Sequence, residues 1–358
     1  MKQNAKTVHA IAEIVFAAIL IVIIYFLIRY MDQRDIRAAE NTKSTENQTE
    51  WMEFPNKTVS IQLGERTFRF SHPVKTYLFM GTDASGNEDG IGSEYQGSMA
   101  DVLMLVTIDE EEKCYGILQL NRDTITEVPM LKKDGSAYAS ADMQLCTAHW
   151  YGRDKKASCE NTVQTVSDML GGLPIDGYYA LQMDAIPLLN EAVDGVTVRI
   201  HEDLTELDPQ MRKGVQLTLT DQQAEKLLHS RYEMKDDRNS RRMQRQQIFI
   251  QSFMKQAKEK ITVDPDFAII LFDRLHPYAT EDININALTA MLGQLNGYTS
   301  KGIFTIEGKS VIGEKLGDGK KHWEFYSDGE SIESVMRALY PLVYFERRID
   351  GTGRRSRN

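Results

Sequence analysis

The 358 residues carry 42 Lys and Arg against 52 Asp and Glu, a formal net charge of −10 with a pI near 5.3. That length suits one large core or two smaller ones, and the acidic balance argues against nucleic acid as a partner, which would need a basic footprint. With 42% hydrophobic and 26% charged residues, the composition is that of an ordinary globular protein with one apolar addition at its start.

The addition covers residues 10–30. Ile14 to Ile28 reads IVFAAILIVIIYFLI, and reaching back to Ala10 across Glu13 gives 19 residues. At about 1.5 Å per residue this nearly matches the hydrocarbon core of a bilayer. A cleaved signal peptide would end in small residues, whereas Tyr25, Phe26, Leu27, Ile28, Arg29 and Tyr30 stand there. The segment therefore reads as an uncleaved single-pass anchor behind a short N-terminus, 1–9. Lys2 and Lys6 before it and Arg29, Arg34 and Arg37 after it leave its orientation open.

Residues 31–57 are polar and charged without an apolar period, and read as a stalk. VSIQLGERTFRFS, Val59 to Ser71, alternates around Gly64 as a β-hairpin does. Three apolar runs follow: TYLFMG (Thr76–Gly81), VLMLVTID (Val102–Asp109) and YGILQLN (Tyr115–Asn121). Continuous runs of this kind suit strands buried on both faces of a sheet. A helix is expected over Glu160–Gly172 with glycine as its stop, and a second in DAIPLLNEAV with Pro187 in its first turn. VTVRI (Val196–Ile200) is a further strand. DQQAEKLLHSRYEM is a helix capped by Thr220 or Asp221 and running to about Arg231, and RRMQRQQIFIQSFMKQAKEK is another. This alternation predicts an α/β layered domain over 58–260, its central mixed β-sheet flanked by helices on both faces. Residues 261–347 carry more helix and a short strand pair in GIFTIEGKSVIG, as a C-terminal part packed on that domain; 348–358 is a loose tail.

There are three cysteines. Cys114 lies in a strand-like run and packs as a small hydrophobe. Cys146 and Cys159 flank CTAHWYGRDKKASC with no zinc spacing, and could close a disulfide if this part of the chain lies outside the cell. His149 within that loop reads as a surface histidine.

Chemistry concentrates at strand ends, where α/β folds place ligands. Asp83 follows the first apolar run, Asp101 opens the second, and Arg122 and Asp123 end the third. Two carboxylates at adjacent strand ends can hold a hard cation such as Mg²⁺, and arginine suits bidentate contact with phosphate. Further along, KDDRNSRRMQRQQ gathers Arg238, Arg241, Arg242 and Arg245 at helical spacing, a row that invites an anion. Each feature also has a plainer reading. A lone Asp after a strand is a common turn former, Arg122 and Asp123 could be a surface ion pair, and the arginine row could be a solvated face balanced by Asp236 and Asp237. A DNA-binding helix is a poor match behind a membrane anchor in an acidic chain, so no nucleic acid is expected.

The succession YLFMGTD, MADVLMLVTID, ILQLNRDT, PIDGYYALQMDAIPLLNEAVDGVTV, LLHSR and RRMQRQQ resembles the LytR–CpsA–Psr family of cell-wall enzymes, from about Thr76 to Lys258. The resemblance implies a single-pass membrane protein with its catalytic domain outside the cell. It implies transfer of a glycopolymer from a polyprenyl-pyrophosphate carrier onto peptidoglycan. By the family motifs, Asp83 and Asp101 hold Mg²⁺, and Arg122 belongs to the pyrophosphate site although Asn121 replaces the motif's proline. Arg231 matches the second arginine of Arg-x-Arg, and Arg242 and Gln246 match Gly-Arg-x-x-Arg-Gln. An apolar cavity between sheet and helices would take the prenyl chain.

The departures are Met99 in place of an arginine two residues before the second acid, Ser85 in place of one after the first, His229 as the first position of Arg-x-Arg, and Arg241 in place of the motif's glycine. Each lost charge-assisted bond to pyrophosphate would cost roughly 1.5–3 kcal/mol, which Arg238 and Arg241 could offset. The expected chemistry is metal-assisted phosphoryl transfer by Asp83, Asp101, Arg122, Arg231 and Arg242, with Asp123 as base or as orienter of Arg122. The alternatives are a polyprenyl-pyrophosphate hydrolase and a non-catalytic binder or sensor of the lipid-linked polymer.

Overall fold

A computed structural model of the chain describes residues 60–83, 97–132, 135–230, 239–264, 267–283, 298–316 and 319–345. The apolar segment 10–30, the stalk 31–57, the tail 348–358, Ser85, Arg231 and Arg238 lie outside the described residues. Among the described residues no helix is long and apolar enough to cross a membrane.

β1 (Ser60–Leu63) and β2 (Arg66–Phe70) form the predicted hairpin, turning at Gly64 with φ +58°. The three apolar runs are β3 (Lys75–Thr82), β4 (Ala100–Asp109) and β5 (Cys114–Leu120). β6 (Ile125–Leu131) and β7 (Ala137–Gln144) make a separate two-stranded ribbon. A 3₁₀ turn (Leu145–Trp150) leads to α1 (Lys155–Met169), which starts before Glu160 because the Asp154 carboxylate caps it, accepting from the Ala157 N–H. Its end is set by Gly171 and Gly172 at φ +74° and +84°. β8 (Gly177–Gln182), α2 (Ile186–Ala192), β9 (Thr197–Arg199) and β10 (Gln216–Thr218) precede α3 (Asp221–His229). Of the two caps expected, Thr220 is the one that forms, in a reciprocal box with Gln223. Then come α4 (Asn239–Val263), α5 (Phe267–Leu275), β11 (Ala279–Glu281), β12 (Thr299–Thr305), β13 (Gly308–Gly313), β14 (His322–Ser327), α6 (Gly329–Leu339) and β15 (Leu342–Tyr344).

Six strands form the central mixed sheet in the order β11-β8-β3-β4-β5-β12. β3, β4 and β5 pair antiparallel in succession, while β8 runs parallel to β3 and β12 parallel to β5. The period-2 alternation of β4 and β5 then sorts their side chains. Leu103, Leu105, Leu118 and Leu120 face a layer with Val166 and Leu170 of the α1 region and Met336 and Leu339 of α6. Met104, Val106 and Ile117 face α2–α5, meeting Leu227, Phe249, Phe253 and Leu271. Each such burial contributes roughly 1.5–3 kcal/mol, so a charge at Leu105, fully buried between the layers, would break the fold.

The strand pair expected within GIFTIEGKSVIG does not form. β12 pairs with β5, and β13 pairs with β14. The reason is two-sided burial: Ile303 packs on the α2–α5 layer and Phe304 on the α1/α6 layer, which a strand gains beside β5 and not in an isolated hairpin. Residues 261–347 thus supply β11 and β12 to the central sheet and β15 to the sheet of β1 and β2.

Candidate active site

Strand register assembles the site. β3 ends at Thr82, which pairs with Ala100 at the start of β4, and the Asp83 N–H donates to Met99 O at 3.0 Å. Leu103 of β4 pairs with Leu120 at the end of β5. Two antiparallel pairings therefore place Asp83, Asp101 and Arg122 on one rim of the sheet. Asp123 is fixed beside them: its N–H donates to Asn121 Oδ1 at 3.0 Å, and its carbonyl accepts from the Phe325 N–H at 2.8 Å.

At the rim, Asp101 bridges two arginines. Arg122 Nη1 donates to its Oδ1, and Arg242 Nη1, from the first turns of α4, donates to its Oδ2 at 2.7 Å. All three side chains are buried, with Asp101 only 7% exposed. Asn239 sets the orientation of Arg242, its Oδ1 accepting from Nε at 3.0 Å and Nη2 at 2.8 Å while its Nδ2 donates to Asn121 Oδ1 at 2.8 Å. Arg122 Nε lies 3.5 Å from Asp123 Oδ1, and Asp83 is close enough to act on the Arg122 charge. Three carboxylates thus surround two guanidinium groups.

Two buried donors here are unsatisfied. Arg122 Nε and Gln246 Nε2 have no hydrogen-bond partner, and Gln246 stands one turn beyond Arg242 on the same face of α4. Buried donors without acceptors are costly, so both fit a site that receives ligand oxygens. The donor set also fits Mg²⁺, which takes hard oxygens and is commonly held by one or two carboxylates, with phosphate and water completing its shell. Among the described residues no group of three or more His, Cys, Asp and Glu is arranged to hold a metal, so the protein's contribution would be the Asp83 and Asp101 carboxylates.

The arginine row divides by helical phase. Arg242 faces the sheet; Arg245 faces away from the rim, donating to Leu227 O at 3.0 Å, Ser230 O at 2.5 Å and Glu202 at 3.2 Å. It thereby satisfies carbonyls at the open end of α3. Arg241 donates to the other oxygen of Glu202, also at 3.2 Å. Of the site residues expected from the sequence, Asp83, Asp101, Arg122, Asp123 and Arg242 come together, with Gln246 next along α4, while Arg231 and Arg238 fall outside the described residues.

Cys146 and Cys159 do not form the expected disulfide. All three cysteines are free and buried. Cys146 sits in the 3₁₀ turn held under Arg122 by its N–H to Arg122 O at 3.0 Å, and its sulfur meets Arg122 Nη2 at 2.9 Å. Burial pushes this thiol up and the guanidinium offsets that only in part, so it stays neutral. Met99 Sδ contacts the same Nη2. Cys159 faces His149 instead, Sγ to Nε2 at 3.6 Å, and burial pushes its thiol up to about 12. His149 is not on the surface. It is 4% exposed, its Nδ1 lies 2.8 Å from Ser98 O, and burial lowers its pKa below the usual histidine value. The carbonyl places the proton on Nδ1 and leaves Nε2 to accept from the Cys159 thiol.

The sequence gives no site role to Asn239, Asn121 or Cys146. Asn239, three residues before Arg242 at the start of a helical pattern, carried a usable signal; Cys146 carried none, because only folding brings it under Arg122.

Residues 30–339 match the LytR_cpsA_psr family. Biofilm regulatory protein A of Streptococcus mutans is 26% identical over 243 residues, 65% of this chain and 56% of that protein. The polyisoprenyl-teichoic acid–peptidoglycan teichoic acid transferase TagU of Halalkalibacterium halodurans is 23% identical over 216 residues, 60% of this chain and 64% of that protein. The chain spans less than two thirds of the length of both relatives. Among solved structures, Bacillus subtilis TagV superposes with a TM-score of 0.54 at 20% identity, over 74% of this chain and 95% of that one. TagT bound to LI-WTA superposes at 0.52 and 17% identity, over 79% and 94%. At these identities the likeness shows the fold, a mixed α/β domain with a central mixed sheet.

Proposed function

The chain belongs to the LytR–CpsA–Psr family, and from that premise we propose that it is a phosphotransferase moving a glycopolymer from a polyprenyl-pyrophosphate carrier to peptidoglycan. On this reading residues 10–30 anchor it in the cell membrane, with the folded part outside. Catalytic groups come from 58–260, and 261–347 completes the sheet behind them. The observation that carries the proposal is the buried Arg122–Asp101–Arg242 bridge with unsatisfied donors at Arg122 Nε and Gln246 Nε2. Arginines held in position by buried ion pairs stabilise charge developing on a transferring phosphoryl group.

Arg122 and Arg242 would bind the pyrophosphate oxygens, with Gln246, Arg231 and Arg238 as further contacts. Asp123, 2% exposed and tied at both its N–H and its carbonyl, suits an orienter of Arg122 better than a base. Asp83 and Asp101 would hold Mg²⁺, which when bound would neutralise the pyrophosphate charge that three carboxylates would otherwise repel. A peptidoglycan hydroxyl attacks the glycan-bearing phosphorus, the bond to polyprenyl phosphate breaks, and the hydroxyl proton leaves with the departing phosphate. The test is release of polyprenyl phosphate by the full chain in detergent with Mg²⁺ and a polyprenyl-pyrophosphate oligosaccharide. Release that needs peptidoglycan fragments and is lost on chelation and in Arg122→Ala supports the transferase. Release without acceptor means a hydrolase, and binding without release means a sensor.

A further inference from the structure

A cavity of about 470 Å³ opens on the far side of α4 from the Arg122–Asp101 bridge. Arg241, Gln244, Arg245 and Ile248 line it, and their spacing of i, i+3, i+4, i+7 makes one helical stripe. Arg242, Gln246, Phe249 and Phe253 form the other stripe, facing the sheet. The opposite wall comes from β9 and the loop after it, including Ile200 and Glu202. The volume falls in the range of small-molecule sites, roughly 300–1,000 Å³, and exceeds what a bare phosphate needs.

The lining has two characters. Ile248 gives half-buried apolar surface, backed by the buried Val198, Ile200 and Leu227, suited to the C–H face of a pyranose ring. Above it lie cations in excess: Arg199, Lys213, Arg241 and Arg245 against Glu202 and Asp203. Glu202 holds Arg241 and Arg245 in register, one oxygen to each at 3.2 Å, so the two guanidiniums are oriented before any ligand arrives. Arg241 is 46% exposed at its side chain and stands where the family motif has glycine. The two stripes are separated by the thickness of the helix, roughly 10 Å, or about two sugar rings.

We propose that this cavity binds an anionic saccharide unit, a sugar bearing a carboxylate or a phosphate ester. It would hold a repeat of the polymer whose pyrophosphate end lies at Arg122 and Arg242. The assignment rests on the transferase reading for its role and on the lining for its chemistry.

The experiment is calorimetric titration of the full chain in detergent with four probes. These are a glucuronate-containing disaccharide, a glycerol-phosphate-substituted disaccharide, a neutral N-acetylated disaccharide and inorganic phosphate. Either charged disaccharide should bind at least tenfold more tightly than the neutral one and than phosphate, and which of them binds better identifies the anion. Arg241→Ala should weaken binding tenfold or more, Arg241→Lys should recover part of it, and Ile248→Trp should block the cavity. Variants are compared at matched thermal unfolding. Arg122→Ala should lose transfer yet bind the probes like the parent chain; absence of transfer by the parent chain itself, with probe binding intact, overturns the proposed activity and leaves the pocket standing. Equal binding of charged and neutral probes, phosphate binding as well as the disaccharides, or no effect of Arg241→Ala and Ile248→Trp overturns the assignment.

Discussion

Asp101→Ala isolates what the bridge contributes to the fold. Asp101 is the shared anion for Arg122 and Arg242, each of which is about 95% or more buried. Removing one partner of a buried ion pair costs about 3–5 kcal/mol, because a charge is left uncompensated. Here two guanidiniums lose the same carboxylate. Asp123 still lies 3.5 Å from Arg122 Nε and Asn239 still accepts from Arg242, which holds the cost to the middle of that range, roughly 4 kcal/mol. For a domain of this size the melting temperature should fall by about 8–16 °C, read by calorimetry on the full chain at neutral pH. Added pyrophosphate should recover part of the loss, since the freed arginines can take an anion in place of the carboxylate. A fall of less than about 2 °C, or no recovery with pyrophosphate, would show that Asp101 does not hold these arginines.

Asn239→Ala leaves Arg242 Nε and Nη2 without their acceptor and should lower the melting temperature by a few degrees and the transfer rate by about 10–100-fold; a loss of stability with the rate unchanged would make Asn239 merely structural. His149 has its pKa lowered by burial, so its neutral form contributes stability fully present above the ordinary histidine value near 6.5 and lost as pH falls through the lower folded value. Melting should therefore decline from pH 7 to pH 5, and the decline should be shallower in His149→Gln. Thiol titration should find three reactive groups per chain in denaturant and slow reaction of all three in the native state, since Cys114, Cys146 and Cys159 are buried and free.

The sheet was legible because β3, β4 and β5 bury both faces, and a run apolar on both faces leaves the same trace in any register. The caps were legible for a local reason: Thr220 needs only Gln223 three residues on. Partners remote in sequence were not. β12 and β13 are adjacent in the chain and both strand-like, and only the open edge of β5 decides that they part. The ribbon of β6 and β7 went unnoticed, since AYASADMQ is mostly exposed and Pro129 interrupts ITEVPML. The 3₁₀ turn misled more seriously. Its polar flanks suggested a surface loop, yet two backbone bonds, to Arg122 O and Thr124 O, draw Cys146 and His149 into the interior.

The departures from the family motifs now have a physical pattern. Where an arginine is expected, Met99 places sulfur against Arg122 Nη2 alongside Cys146. Two neutral sulfurs there supply packing and weak acceptance but no positive charge. His229, at the last residue of α3, is exposed rather than turned into the bridge. Where a glycine is expected, Arg241 places a charge on the other stripe of α4, paired with Glu202. Relative to the motif, then, the described part of the chain loses positive charge at the rim and gains it at the cavity about one helix diameter away. A pyrophosphate at the rim would depend more heavily on a cation held by Asp83 and Asp101, and the polymer would depend more on contacts beyond the pyrophosphate. Both consequences run in one direction: truncating the saccharide should cost this chain more of its transfer rate than it costs a relative that keeps the rim arginines and the glycine.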